Sequence, residues 1–151
     1  EVEQSLASWD LNSLEEVVFC GYGEPTERLP DLLEVAAWLK ANYKIPVRIN
    51  TNGLSDLIWG RETAPDLTGK IDCVSISLNA TDAEEYLQLT RSKFGIGSYD
   101  AMLKFAKDCS RCVPRVMMTV VDQVTTPEEQ EKARRICAEV GATLRIRPLE
   151  T

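Results

Sequence analysis

Four short stretches of this chain hold polar groups where chemistry needs them fixed. Gly21-Tyr22-Gly23-Glu24-Pro25 places a carboxylate behind two glycines and in front of a proline. The glycines let a ligand approach the backbone closely, and Pro25 biases Glu24 toward an extended conformation that carries on the line of the preceding residues. Asn50 and Asn52 flank Thr51 just before Gly53, Ser77 and Asn79 close the run 71–78, and Thr119 and Asp122 end the run 116–121. Carboxylate, amide and hydroxyl groups are small hydrogen-bond donors and acceptors. The chain has no histidine, which removes the commonest neutral-pH acid–base group and most zinc or triad chemistry. The set reads as a hydrogen-bonding cradle and not as a hydrolytic centre.

Each stretch ends an apolar run. Residues 17–21, 47–51, 71–78, 116–121 and 143–147 read as strands buried in a parallel sheet. Between them lie helical patterns. Pro30 suits a first helical position, with Leu29, Leu32, Leu33, Ala36 and Leu39 on one face up to about Tyr43. Thr81-Asp82-Ala83-Glu84 has capping-box spacing, and Ser98 is placed to cap a helix whose face is Met102, Leu103, Ala106 and Cys109. Thr126-Pro127-Glu128-Glu129 opens another helix, with Gly141 as its stop. Val2, Leu6 and Trp9 predict a further helix over 1–9, while Gly60, Pro65 and Gly69 break up the ambiguous stretch 55–70. Alternating strands and helices make an α/β fold with right-handed crossovers, and all strand C-termini then share one edge, where ligands bind. That edge collects Glu24, Asn50, Asn52, Ser77, Asn79, Asp122 and Arg147.

At 151 residues and 44% hydrophobic, the chain suffices for a single domain spanning 1–151. A net charge of −7 argues against nucleic acid or an anionic membrane as partner. No apolar run reaches the length of a membrane span. Five cysteines, an odd number and mostly in apolar runs, fit a reducing cytoplasm. The pattern opens at Glu1 without a Met, as expected of a fragment.

Residues 19–26, Phe-Cys-Gly-Tyr-Gly-Glu-Pro-Thr, resemble the Gly-Gly-Glu motif that ends the second strand of radical S-adenosylmethionine (SAM) proteins. Arg48-Ile49-Asn50-Thr51-Asn52-Gly53 is similar to that superfamily's third-strand Thr-Asn-Gly. Val74–Ala80 is similar to its fourth strand, and Phe94-Gly95-Ile96-Gly97-Ser98-Tyr99 to the start of its next helix. Within the superfamily the closest likeness is to the branch associated with TatD-type nucleases. The resemblance covers the chain in order. It implies an arc of a partial (βα)6 TIM-like barrel, strands two to six, with the first strand and cluster loop absent. It also implies SAM-binding residues: Gly21, Tyr22, Gly23, Glu24, Asn50, Asn52, Ser77, Asn79 and Thr119. Glu24 would accept from the SAM ammonium, Ser77 and Asn79 would meet ribose, and Asn50 would point toward substrate. Tyr22 stands where the motif has its middle glycine, and 117–122 lacks the glycines that pack adenine in relatives.

The superfamily's [4Fe–4S] cluster needs a Cys-x-x-x-Cys-x-x-Cys loop, and none occurs here. Cys109-x-x-Cys112, the only pair at ligand spacing, ends a helix where the dipole disfavours a thiolate, so it reads as structural. The resemblance therefore implies an intact radical SAM enzyme that uses SAM, a [4Fe–4S] cluster and a reductant protein to generate a 5′-deoxyadenosyl radical on an unknown small-molecule substrate. This segment alone is expected to be inactive, with no cofactor bound, and to self-associate as a homo-oligomer, either through the strand edge at 17–21 or by packing its open concave face against a copy. The alternative is a cluster-free binding or assembly module on a degenerate half-barrel. A flavodoxin- or receiver-like sandwich is disfavoured, since neither a phosphate loop nor an acidic cluster lies at the strand ends.

Overall fold

Strand order in space follows strand order in sequence. The computed structural model describes residues 16–20, 24–121 and 126–147. Among them, β1 (Val17–Phe19), β2 (Val47–Thr51), β3 (Cys73–Ser77), β4 (Arg115–Val121) and β5 (Thr143–Arg147) form one sheet in that order, every pair parallel. When each right-handed crossover moves one strand in the same direction, all the helices fall on one face. They are α1 (Leu29–Asn42), α2 (Ser55–Trp59), α3 (Ala83–Thr90), α4 (Ser98–Cys112) and α5 (Pro127–Val140), with 3-10 turns at Pro25–Arg28, Ala64–Leu67 and Gly95–Gly97. No helix among the described residues is long and apolar enough to cross a membrane.

The register divides each strand between two faces. Ile49, Val74 and Val116 lie abreast, as do Thr51, Ile76, Met118 and Leu144. These rows face the helices and meet Leu32, Ala36 and Leu39 of α1, Met102, Phe105 and Ala106 of α4, and Ala133 and Cys137 of α5 in one core. Ile49, Ile76 and Met118 are fully buried. Side chains of that size each contribute on the order of 1.5–3 kcal/mol by leaving water. The other face carries Arg48, Asn50, Cys73, Ser75, Ser77, Arg115, Met117, Thr119, Thr143, Arg145 and Arg147.

Several local expectations shift by a residue or a role. The helix after β3 is capped by Asp82, whose side chain accepts from Glu85 N, and not by Thr81. The aspartate wins because it holds an extended backbone one residue before the first helical turn. Ser98 does not cap α4. Gly97 holds that position, and the Ser98 hydroxyl donates to Ser92 Oγ and Gly95 O, inside the helix's first turn. Leu33 and Leu103 are only half-buried, whereas Phe105 is fully buried. Cys20 lies past the end of β1 and is exposed. The stretch 55–70 resolves into α2 and the turn Ala64–Leu67. Thr126 caps α5 as the capping box requires, accepting from Glu129 N at 3.2 Å, and Gly141 closes it at a left-handed φ of 81°. The helix expected over 1–9 lies outside the described residues.

Candidate functional site

The C-terminal edge of the sheet is organised by Glu24. Its backbone is extended, as Pro25 requires, and its carboxylate caps the turn Pro25–Arg28. Oε2 accepts from Thr26 N at 3.0 Å, from the Thr26 hydroxyl, and from Thr51 Oγ1 at 2.6 Å. Oε1 accepts from Asn52 N at 2.8 Å. One side chain thus ties the end of β1 to the end of β2. A carboxylate has about four acceptor sites. The described donors crowd Oε2 and leave Oε1 room for one more, on the scale an ammonium needs.

The residues around Glu24 brace it. Trp59 Nε1 donates to Thr26 O at 2.6 Å, which docks α2 against the turn. Thr51 Oγ1 also accepts from Gly53 N at 3.1 Å, and Asn52 Oδ1 accepts from Leu54 N at 2.9 Å, so Asn52 forms the turn with its own side chain. Tyr86 is buried beside Tyr99 with ring centroids 5.4 Å apart. Burial raises the Tyr86 phenol above its ordinary value, and the Glu24 carboxylate adds to the effect. Burial pushes the Tyr99 phenol up to about 12, so both rings remain neutral.

Beyond Glu24, the edge presents side chains that no other described residue uses. Among the described residues, Asn50, Ser77, Asn79 and Thr119 make no side-chain hydrogen bond, and none of their polar atoms is a buried orphan. Asn50, Ser77 and Thr119 share the face away from the helices, with Ser77 and Thr119 directly abreast. Asn79 sits just past β3 at a left-handed φ of 66°. Thr119 O receives Leu78 N at 2.9 Å and Asn79 N at 3.4 Å, which folds the end of β3 against β4. Gly21, Tyr22, Gly23 and Asp122 lie outside the described residues. Arg147 is on the same face as Thr119, at the end of the edge strand β5. Thr26, Thr51 and Trp59 complete the bracing of Glu24; both threonines lie inside the quoted motifs without a bracing role assigned to them, and Trp59 did not stand out in the sequence. Their only signal there is a hydroxyl two residues after Glu24 and one at the end of β2.

The five cysteines are dispersed. Cys109 and Cys137 are buried, Cys73 and Cys112 half-buried, and Cys20 exposed. Burial raises the thiols of Cys73 and Cys109, and pushes that of Cys137 up to about 11. Among the described residues no group of three or more cysteines or acids could hold a metal ion.

No family model matches the chain, and no curated protein matches it. Solved structures of Streptococcus suis SuiB do. The SuiB structure covers 99% of this chain at a TM-score of 0.75 and 19% identity. SuiB bound to its precursor peptide SuiA gives the same values for this chain. SuiB bound to S-adenosylmethionine covers 98% at a TM-score of 0.72 and 19% identity. The chain shares the fold of these SuiB structures, a parallel sheet with its helices on one face that forms the arc of a partial (βα) barrel. The face away from the helices is therefore its concave, inner face. The chain spans about a third of the SuiB chains it matches, 33% in the first case.

Proposed function

We propose that this chain is core sequence of a radical SAM enzyme and that it binds SAM along the C-terminal edge of the sheet. The observation that carries the reading is the row of free side chains at Asn50, Ser77, Asn79 and Thr119, beside Glu24. The fold is one in which SuiB has been seen with SAM bound. In this reading Glu24 Oε1 accepts from the methionyl ammonium while Oε2 stays anchored to Thr26 and Thr51. Ser77 and Asn79 meet the ribose hydroxyls, Thr119 lies under the adenine, and Asn50 faces the substrate. Asn52 contributes by shaping the turn. When bound, SAM supplies a 5′-deoxyadenosyl radical on one-electron reduction.

The [4Fe–4S] cluster that would deliver the electron does not fit the residues of this chain. Of its five cysteines only Cys109 and Cys112 share an element, α4, two of the five are buried, and no group of described residues could hold a metal. That dispersal favours a second reading, a cluster-free module that binds SAM or an assembly partner with the same edge.

The two readings separate in one experiment. The protein is expressed with whatever precedes Glu1 in its gene and reconstituted anaerobically with iron and sulfide. The enzyme reading expects the low-temperature electron paramagnetic resonance signal of a reduced [4Fe–4S] cluster, and 5′-deoxyadenosine released from SAM on addition of dithionite. SAM binding without a cluster signal selects the second reading, and the absence of both signal and SAM binding contradicts the enzyme reading and reduces the second to its assembly form.

A further inference from the structure

The five strands contain no acidic residue, yet this chain carries a net charge of −7. They do contain four arginines, Arg48, Arg115, Arg145 and Arg147, and the register puts all four on the concave face. Arg48 and Arg115 lie in one row near the N-terminal end of the sheet, flanking Cys73, and Arg48 Nη1 is paired with Glu16 Oε1 at 3.3 Å. Arg145 and Arg147 differ. They stand two residues apart on β5, with Leu144 and Ile146 between and beyond them packed into the helix-covered core. Two residues along a strand is about 7 Å, and both side chains project from the same face. Both arginines are exposed, and neither has an ion-pair partner among the described residues. Arg145 is abreast of Thr119 and Arg147 of Val121, so the pair lies level with the Ser77–Thr119 row.

Two guanidinium groups held on one face of a strand, without an ion-pair partner among the described residues, are a matched pair of planar forks. Each fork fits a carboxylate through two parallel N–H donations. The pair belongs to β5, at the opposite edge of the sheet from β1, so it is separate from the Glu24 end of the edge. We infer that Arg145 and Arg147 form a subsite for a small dicarboxylate, the substrate of the reaction proposed above. This inference rests on that reading for the word substrate, and on charge and register alone for the binding. A dicarboxylate is favoured over phosphate because two forks about 7 Å apart along the strand match two separated carboxylates better than one tetrahedral anion.

The test uses the 151-residue chain, labelled with nitrogen-15, and follows the arginine Nε–Hε resonances during titration with succinate, propionate and inorganic phosphate at constant ionic strength. Arg145 and Arg147 are expected to shift saturably with succinate, and to bind it about ten-fold more tightly than propionate, since the second carboxylate adds a second charge-assisted pair. The double variant R145Q/R147Q should lose the response. Arg134→Gln, on the outer surface of α5 beside Glu131, should keep it. Phosphate binding as tight as succinate, no saturable shift at all, or equal losses in the two variants would each overturn the assignment. None of these signals involves SAM. Succinate binding by the chain keeps the subsite whatever the reconstituted protein does with SAM, and a reconstituted protein that releases 5′-deoxyadenosine keeps the enzyme reading whatever the chain does with succinate.

Discussion

Glu24 Oε1 accepts a hydrogen bond from the backbone N–H of Asn52 at 2.8 Å, so a carboxylate at the end of one strand holds the turn after the next. The same carboxylate receives Thr51 Oγ1 at 2.6 Å. Glu24 therefore has a structural duty whatever it does for a ligand. Glu24→Gln replaces one of the two acceptor oxygens with a donor amide facing other donors. Hydrogen bonds to a charged acceptor contribute about 1.5–3 kcal/mol, and the variant is expected to lose stability on that scale. Urea denaturation of both proteins reads the difference, and equal midpoints would contradict the tie.

Gly53 is the second fixed point of the edge. Its φ of 79° is in the left-handed region, and a Cβ there would lie 2.8 Å from Met102 Cγ and 2.9 Å from Ile76 Cγ2. Both the backbone and the space are closed to a side chain. Gly53→Ala should destabilise the protein by on the order of 2–4 kcal/mol, strain and overpacking together. Because Met102 belongs to α4 and Ile76 to β3, the shift should also disturb amides in both elements. A thermal midpoint equal to that of the parent would show that the turn relaxes freely.

A pH effect is expected where α3 meets α5. Burial raises the Glu85 carboxyl above its ordinary value, with Glu129 and Asp82 adding to the shift. The charge in the first turn of α3 gains from the helix dipole, but burial and the two carboxylates outweigh it. A folded-state value above the unfolded one means that the folded protein holds the proton more tightly. Stability then falls as pH rises between the unfolded and folded values, and returns as pH drops below both. Glu85→Gln should be more stable than the parent at about pH 7 by a few tenths of a kcal/mol, the scale of solvent-screened pairs. The advantage should vanish near pH 4. A gap independent of pH would remove Glu129 and Asp82 as its cause.

The strand pattern was legible because apolar alternation survives burial on one face. The bounds of β2 and β5 read directly from 47–51 and 143–147, and the helix-covered rows follow from the same alternation. Local choices between neighbours were not legible: Thr81 and Asp82 are both good caps, and only the backbone angle decides between them. Ser98 looked like a cap because nothing in the sequence shows that Ser92, six residues earlier, takes its hydroxyl. The bracing of Glu24 was hidden for a similar reason, since its partners Thr51 and Asn52 are 27 and 28 residues away. The cationic face needed the register, which tells which alternate residues turn away from the helices.

The claim that SAM lies along the C-terminal edge is tested most directly by mapping backbone amide shifts of the chain during titration with SAM. The account predicts weak binding, because the described residues offer no cluster, with shifts confined to Asn52, Ser77, Asn79, Thr119 and their neighbours. The double variant S77A/N79A should weaken the response by roughly ten-fold, the loss of about two ordinary hydrogen bonds. Shifts centred on the helix-covered face, or no shift at any soluble SAM concentration, would contradict the account.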